Sequence, residues 1–254
     1  MRKVLILTVA ALVGATYAFG TLGSIVSSFR APASQPRGLA RSNDRLYVLD
    51  YNSPNRVYYL NPTTGSRLGS WQAPVSSGNR GLAYIADGNI YVGCWSNDRI
   101  YRCRADNGSV RAAWAVGHDP TGLAPVQTGD GGYGATSLYC SASAPSYFWR
   151  HHYTTGSVIS SFAAPHSSFQ DITYDHRNRL IWRYNSNRVY GITTAGSVKA
   201  SFSWSGHGTY AGMAYHSGYL FISATTQQYI YRVHCPANVG VAPTSMGKIK
   251  AVFK

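Results

Sequence analysis

Glutamate is absent from this chain, and its nine acidic residues are all aspartate. Any mechanism built on a glutamate acid, base or metal ligand is therefore excluded. Charged residues make up only 13% of the sequence, and lysine is scarce outside the two ends. With 44% hydrophobic residues, 26 Gly and 20 Tyr, the balance excludes intrinsic disorder and a helical bundle and favours sheets joined by tight turns. Long apolar runs are missing too. Beyond the first twenty residues no stretch approaches the roughly 20 apolar residues of a membrane-spanning helix. Also missing are a nucleophile elbow, a phosphate-binding glycine loop and a dinucleotide fingerprint. Gly129–Gly134 is glycine-rich but no helical pattern follows it, so it reads as an inserted loop.

What is present begins with Arg2 and Lys3, an apolar run from Val4 to about Val13, and small residues up to Ala18. This is the layout of a secretory signal peptide over residues 1–18, with export to the cell surface, the periplasm or the medium as the expectation. Removal of Arg2 and Lys3 would leave most of the +14 net charge, the larger part of it arginine. On an exported protein that charge points to anionic partners such as acidic polysaccharide, and nucleic acid is not expected. The four cysteines fit no zinc spacing. Cys94 and Cys103 flank one short turn and are the disulfide candidates, the alternative being that they are small core residues.

An internal repeat organises the rest. Segments 45–59, 89–101 and 179–190 are each two alternating apolar runs around an Asn/Ser turn, and fainter copies cover 137–149 and 218–231. Such segments read as antiparallel hairpins. A short inner segment precedes each: Gly38–Ala40, Gly81–Ala83, Gly122–Ala124, Asp171–Thr173 and Gly212–Ala214. A strand opening on Gly-Ser follows the first four, at Gly65, Gly108, Gly156 and Gly196. Four strands per unit, repeated five times, predict an all-β, five-bladed propeller over residues 19–238. The fifth unit lacks its fourth strand, while an orphan copy, Gly23–Phe29, precedes the first unit and would close the ring. Gly247–Phe253, in the basic tail 239–254, resembles the same strand and is a second claimant, or a strand for self-assembly by β-addition.

The run Leu46–Tyr58 followed by Asn61–Gly65 resembles the NHL, YVTN and YWTD-type β-propeller repeats of secreted and surface proteins. The resemblance covers about residues 23–235. It implies the fold and leaves the activity open, since that broad group includes adhesion modules, surface-layer proteins, hydrolases and lyases.

In such a ring the loops leading into the innermost strands share a face with the loops between second and third strands. Arg37 and Arg80 end two lead-in loops, and Tyr51, Trp95 and Tyr184 lie in or beside three of the others. Aromatic faces stack on sugars or cations and guanidinium forks grip anions, so these five are the expected ligand-binding residues. His118, His166 and His207 recur in three consecutive lead-in loops and form the candidate ligand set for a transition metal. His151 and His152 fall in a strand that sends them to opposite faces. Asp119, beside His118, is the best lone acid-base candidate, with Asp171 and Asp175 also outside obvious turns. The expected function is a secreted, non-catalytic binding or surface-assembly module for an anionic glycan or protein. The alternative is a hydrolase or lyase with a metal held by the three histidines.

Overall fold

The computed structural model describes residues 21–142, 146–165, 171–185, 187–207 and 209–237. The segments 1–18 and Gly247–Phe253 lie outside these residues. Among the described residues, twenty strands form five four-stranded antiparallel sheets. The first strand, β1 (Ile25–Arg30), stands apart from its chain neighbours. Blade one then contains β2 (Pro36–Arg41), β3 (Leu46–Asp50), β4 (Arg56–Leu60) and β5 (Arg67–Gln72). Blade two contains β6 (Asn79–Ile85), β7 (Asn89–Cys94), β8 (Arg99–Arg104) and β9 (Val110–Ala115), and blade three β10 (Pro120–Val126), β11 (Ser137–Ala142), β12 (Tyr147–His151) and β13 (Val158–Ala163). Blade four runs through β14 (Ile172–Asp175), β15 (Leu180–Asn185), β16 (Arg188–Thr193) and β17 (Val198–Ser203). Blade five takes β18 (Tyr210–His216), β19 (Tyr219–Ala224) and β20 (Tyr229–His234), and its outer strand is β1, which pairs antiparallel with β20 from Ile25 opposite Val233 to Arg30 opposite Tyr229. The amino-terminal strand therefore closes the ring, and the chain is a five-bladed propeller.

The repeat explains the packing. Inner strands are buried and carry small residues because five of them must converge, whereas outer strands such as β9 and β13 are largely exposed. The glycine opening each outer strand abuts the aromatic residue of the preceding blade's outer strand. Gly65 meets Phe29, Gly108 meets Trp71, Gly156 meets Trp114, Gly196 meets Phe162, and Gly23 meets Phe202, which completes the circle. Gly156 needs both its lack of a Cβ and its positive φ of 72° there. Among the described residues, no helix is long and apolar enough to cross a membrane.

All four cysteines are buried and free. The expected Cys94–Cys103 disulfide is corrected by the β7–β8 register, which sets Cys94 opposite Arg99 and Cys103 opposite Ile90. Cys103 serves instead as a small core residue beside Val57, Trp71 and Ile90.

Candidate functional site

Antiparallel pairing places the start of each inner strand beside the end of its neighbour. Pro36 pairs with Asp50 and Asn79 with Cys94, so Arg37 and Arg80 arrive next to Tyr51 and Trp95 across blades one and two. The Arg37 guanidinium carbon lies 4.6 Å from the Tyr51 ring centre, that of Arg80 lies 5.4 Å from the same ring, and Arg80 also sits 4.9 Å from the Trp95 ring. Cation and aromatic face thus alternate in the order Arg37, Tyr51, Arg80, Trp95. Each contact contributes about 0.5–1 kcal/mol where solvent reaches it.

The loops carrying this ladder are fixed by buried amides. Asn55 donates to the carbonyls of Tyr51 (2.6 Å) and Asn52 (3.1 Å), and accepts from the Asn79 side chain at 2.8 Å. Asn79 also donates to the Val75 carbonyl at 2.7 Å, and the Trp95 amide donates to Gly78 at 2.9 Å. Asp50 is occupied by the amides of Gln35 and Asn52. The platform is preorganised, which lowers the ordering cost of binding.

Its charge is uncompensated. Among the described residues no carboxylate pairs with Arg37 or Arg80. The Nε of each is buried without a partner. Burial, then the nearby Arg80 charge, lowers the Arg37 pKa against a smaller upward pull from Tyr51. Burial pushes the Tyr51 hydroxyl up, but hydrogen bonding and charge from Arg80, with Trp95 and Arg37, bring it below its ordinary value. Arg37 also borders an open depression of about 310 Å³, lined by Ser34, Gln35, Thr209, Thr225 and Thr226. Two guanidinium groups, an exposed Trp95 and a hydroxyl-rich depression can hold an anionic group, a flat ring face and polar substituents together.

The other expected residues lie elsewhere. Tyr184 does not join the ladder: it is buried in the core of blades four and five with Val189, Trp204 and Met213. His118 turns inward, stacks on Trp149 with ring centres 5.0 Å apart, and meets His151 with 3.1 Å between their Nε2 atoms. His207 packs against Trp204 and Tyr231. His166 lies outside the described residues. Among those described, no three His, Cys or Asp side chains gather as a metal site.

The centre of the ring is occupied by Asp171, 1% exposed. Its carboxylate accepts the amides of Leu39 (3.0 Å), Leu123 (3.2 Å) and Met213 (3.2 Å), from blades one, three and five. Burial lifts its pKa well above the usual carboxylate range, opposed by these amides and that of Ile172. A repeat-breaking position signals this role: Asp171 stands where the other four inner segments have Gly38, Gly81, Gly122 and Gly212. A Cβ on Gly122 would come within 2.8 Å of the Asp171 backbone, and one on Gly212 within 2.8 Å of Leu39. The remaining central cavity, lined by Leu39, Leu82, Leu123 and Tyr215 among others, has about 10 Å³, at most the room of one water. At the end remote from the ladder, the loop at Asp130–Gly132 bridges blades. Asp130 accepts from Ser217 and Arg177, while Gly131 lies against Asn43 and Gly132 against Tyr84 and Ile85. The axis of the ring therefore has no room for a ligand larger than a water.

No known family profile matches the chain, and no curated protein sequence matches it. Solved structures do. A crystal structure of Myxococcus xanthus glutaminyl cyclase superposes with a TM-score of 0.67 at 13% identity, covering 84% of this chain and 95% of that one. The likeness is one of fold. The Cps50 (Swd1) β-propeller domain of Myceliophteria thermophila is similar with a TM-score of 0.50 at 9% identity, over 84% of this chain and 100% of that domain. A catalytically inactive H270A variant of virginiamycin B lyase from Staphylococcus aureus scores 0.47 at 12% identity, over 78% and 66% of the two chains. The first two likenesses bear out a propeller of repeated blades without selecting the NHL, YVTN or YWTD type.

Proposed function

We propose that this chain is an exported, non-catalytic binding module that recognises an acidic glycan on the face carrying Arg37, Tyr51, Arg80 and Trp95. The observation that carries the reading is the pair of guanidinium groups held over aromatic rings with no carboxylate to neutralise them. Carboxylate or sulfate groups supply the missing charge, Trp95 offers a stacking face, and the threonines beside Arg37 accept and donate to hydroxyls. The amino-terminal segment 1–18 accounts for export, and the high positive charge for attraction to an anionic surface.

The test is an array of neutral and acidic glycans probed at low and high salt. A hit that survives high salt and weakens at least about tenfold, or 1.4 kcal/mol, in Arg80→Gln and Trp95→Ala supports the reading. Binding to every polyanion that fades as screening increases, or a hit untouched by both substitutions, overturns it.

A further inference from the structure

Strand β2 has a second arginine at its other end, facing away from the ladder. Arg41, with Arg232 of β20 and His216 at the end of β18, lines an 80 Å³ pocket between blades one and five, completed by Thr63, Ser217 and Tyr219. This volume holds more than one water and admits a tetrahedral oxyanion. Arg41 spends two of its five donors on the carbonyls of Arg45 (3.1 Å) and Asn43 (2.8 Å), which pins its fork. Arg232 is laid over the Tyr219 ring at 3.7 Å. Arg41 Nε, Arg232 Nε and His216 Nδ1 are all buried, and none has a hydrogen-bond partner. Two guanidinium groups and an imidazole thus converge on one small pocket, and an unpaired buried guanidinium N–H costs about 1–3 kcal/mol.

The carboxylates that act on these groups are already committed: Asp130 accepts from the Ser217 amide at 2.8 Å, the Ser217 hydroxyl at 2.9 Å and Arg177 at 2.9 Å, and Asp44 from the Ser42 hydroxyl at 2.8 Å, with Arg45 3.4 Å away. No carboxylate forms an ion pair with Arg41 or Arg232 among the described residues. We infer that the pocket formed by Arg41, Arg232 and His216 is a binding site for a phosphate or sulfate group, separate from the glycan face. The bound oxyanion lies between the Arg41 and Arg232 guanidinium groups, and Thr63 is within the same lining to add a hydroxyl. The groups acting on His216 support this. Burial, Arg41, Arg177 and Arg232 lower its pKa to about 4, and only Asp130 opposes them. An anion between the two arginines offsets that repulsion and raises the His216 pKa.

The experiment is calorimetric titration of inorganic phosphate, and in parallel glycerol phosphate, into the whole protein at about 0.15 M salt, where long-range attraction is screened. Saturable binding that falls at least tenfold in Arg232→Gln and in Arg41→Gln, and is unchanged in Arg188→Gln, an exposed arginine of blade four, is expected. Tighter binding of glycerol phosphate identifies an esterified headgroup as the source, and tighter binding of phosphate a free ion. A second readout needs no variant: NMR titration of His216 should show its midpoint rising by at least half a pH unit with phosphate. Absence of saturable binding, equal binding by wild type and Arg232→Gln, or an unmoved His216 midpoint at saturating phosphate overturns the inference.

Discussion

Mild acid should unfold this propeller partly through the pair His118 and His151. The hydrogen bonds fix the neutral tautomers. His151 Nδ1 lies 2.9 Å from the Gly156 carbonyl and so carries a proton, which leaves its Nε2 as the acceptor for His118 Nε2–H at 3.1 Å. The bare His118 Nδ1 then faces the Cys140 thiol at 4.0 Å. A further proton on His151 would set two N–H groups against each other. Burial, then the His151 charge, lowers the His118 pKa from 6.5 to about 4, and burial also lowers that of His151 against the Gly156 bond. Because the folded value lies below the unfolded one, the unfolded chain binds more protons in this interval. The contribution to stability is complete above pH 6.5 and disappears as pH falls toward 4. The displacement corresponds to a few kcal/mol at most, on the order of 1–3 kcal/mol. His216, displaced in the same direction, adds a comparable amount. Urea unfolding followed from pH 7.5 to 4.5 measures the loss. His118→Phe keeps the stack on Trp149 and should start less stable but lose less over that range, by on the order of 1–3 kcal/mol. Equal pH slopes in the two proteins, or an NMR midpoint for His118 near 6.5, would refute the argument.

Asp171→Ala should be the most damaging single truncation, because the buried amides of Leu39, Leu123 and Met213 each lose an acceptor at about 1–3 kcal/mol. Asp171→Asn keeps one acceptor oxygen and should lose less in the same denaturation assay; an Ala variant within about 1 kcal/mol of wild type contradicts the central role. The buried thiols should resist a colorimetric thiol reagent in the native protein and react as four equivalents in denaturant. Burial pushes the Cys103 thiol up to about 12 and raises those of Cys140 and Cys235, so prompt reaction of any of these three would count against the packing. Gly156→Ala should lower the melting temperature by several degrees through contact with Trp114 and a strained positive φ, and an unchanged value would show that the blade contact yields freely.

The blade count was legible because the blades repeat the same local chemistry: Gly before four of the five inner strands, Asn/Ser at the hairpin, Gly-Ser before the outer strand. The closing strand was open between Gly23–Phe29 and Gly247–Phe253, and the β1–β20 pairing assigns the place to the first. Arg37, Tyr51, Arg80 and Trp95 were legible as a group because repeat position converts directly into place around a ring. Tyr184 was not, since in blade four the equivalent ring folds onto Val189 and Trp204 rather than toward solvent. His118 reads locally as a loop residue beside glycine, and its partner is 33 positions away at the end of β12. Asp171 was visible only as an acid outside a turn. Its meaning comes from the four glycines that leave one space at the axis, a fact about five segments jointly rather than about any one.

The pairing of β1 with β20 also sets an order of events. Residues 25–30 find their partners only when residues 229–234 are present, and Asp171 cannot complete its bonds until Leu39 and Met213 have come together. Such long-range contacts make folding slow, since loop-closure entropy is spent before the contacts form. Until then the free edge of β20 is a template for any extended strand, including β1 of another molecule. Exchange of that strand between copies at high concentration, giving joined rings, is the characteristic hazard of closing a circle with its own beginning.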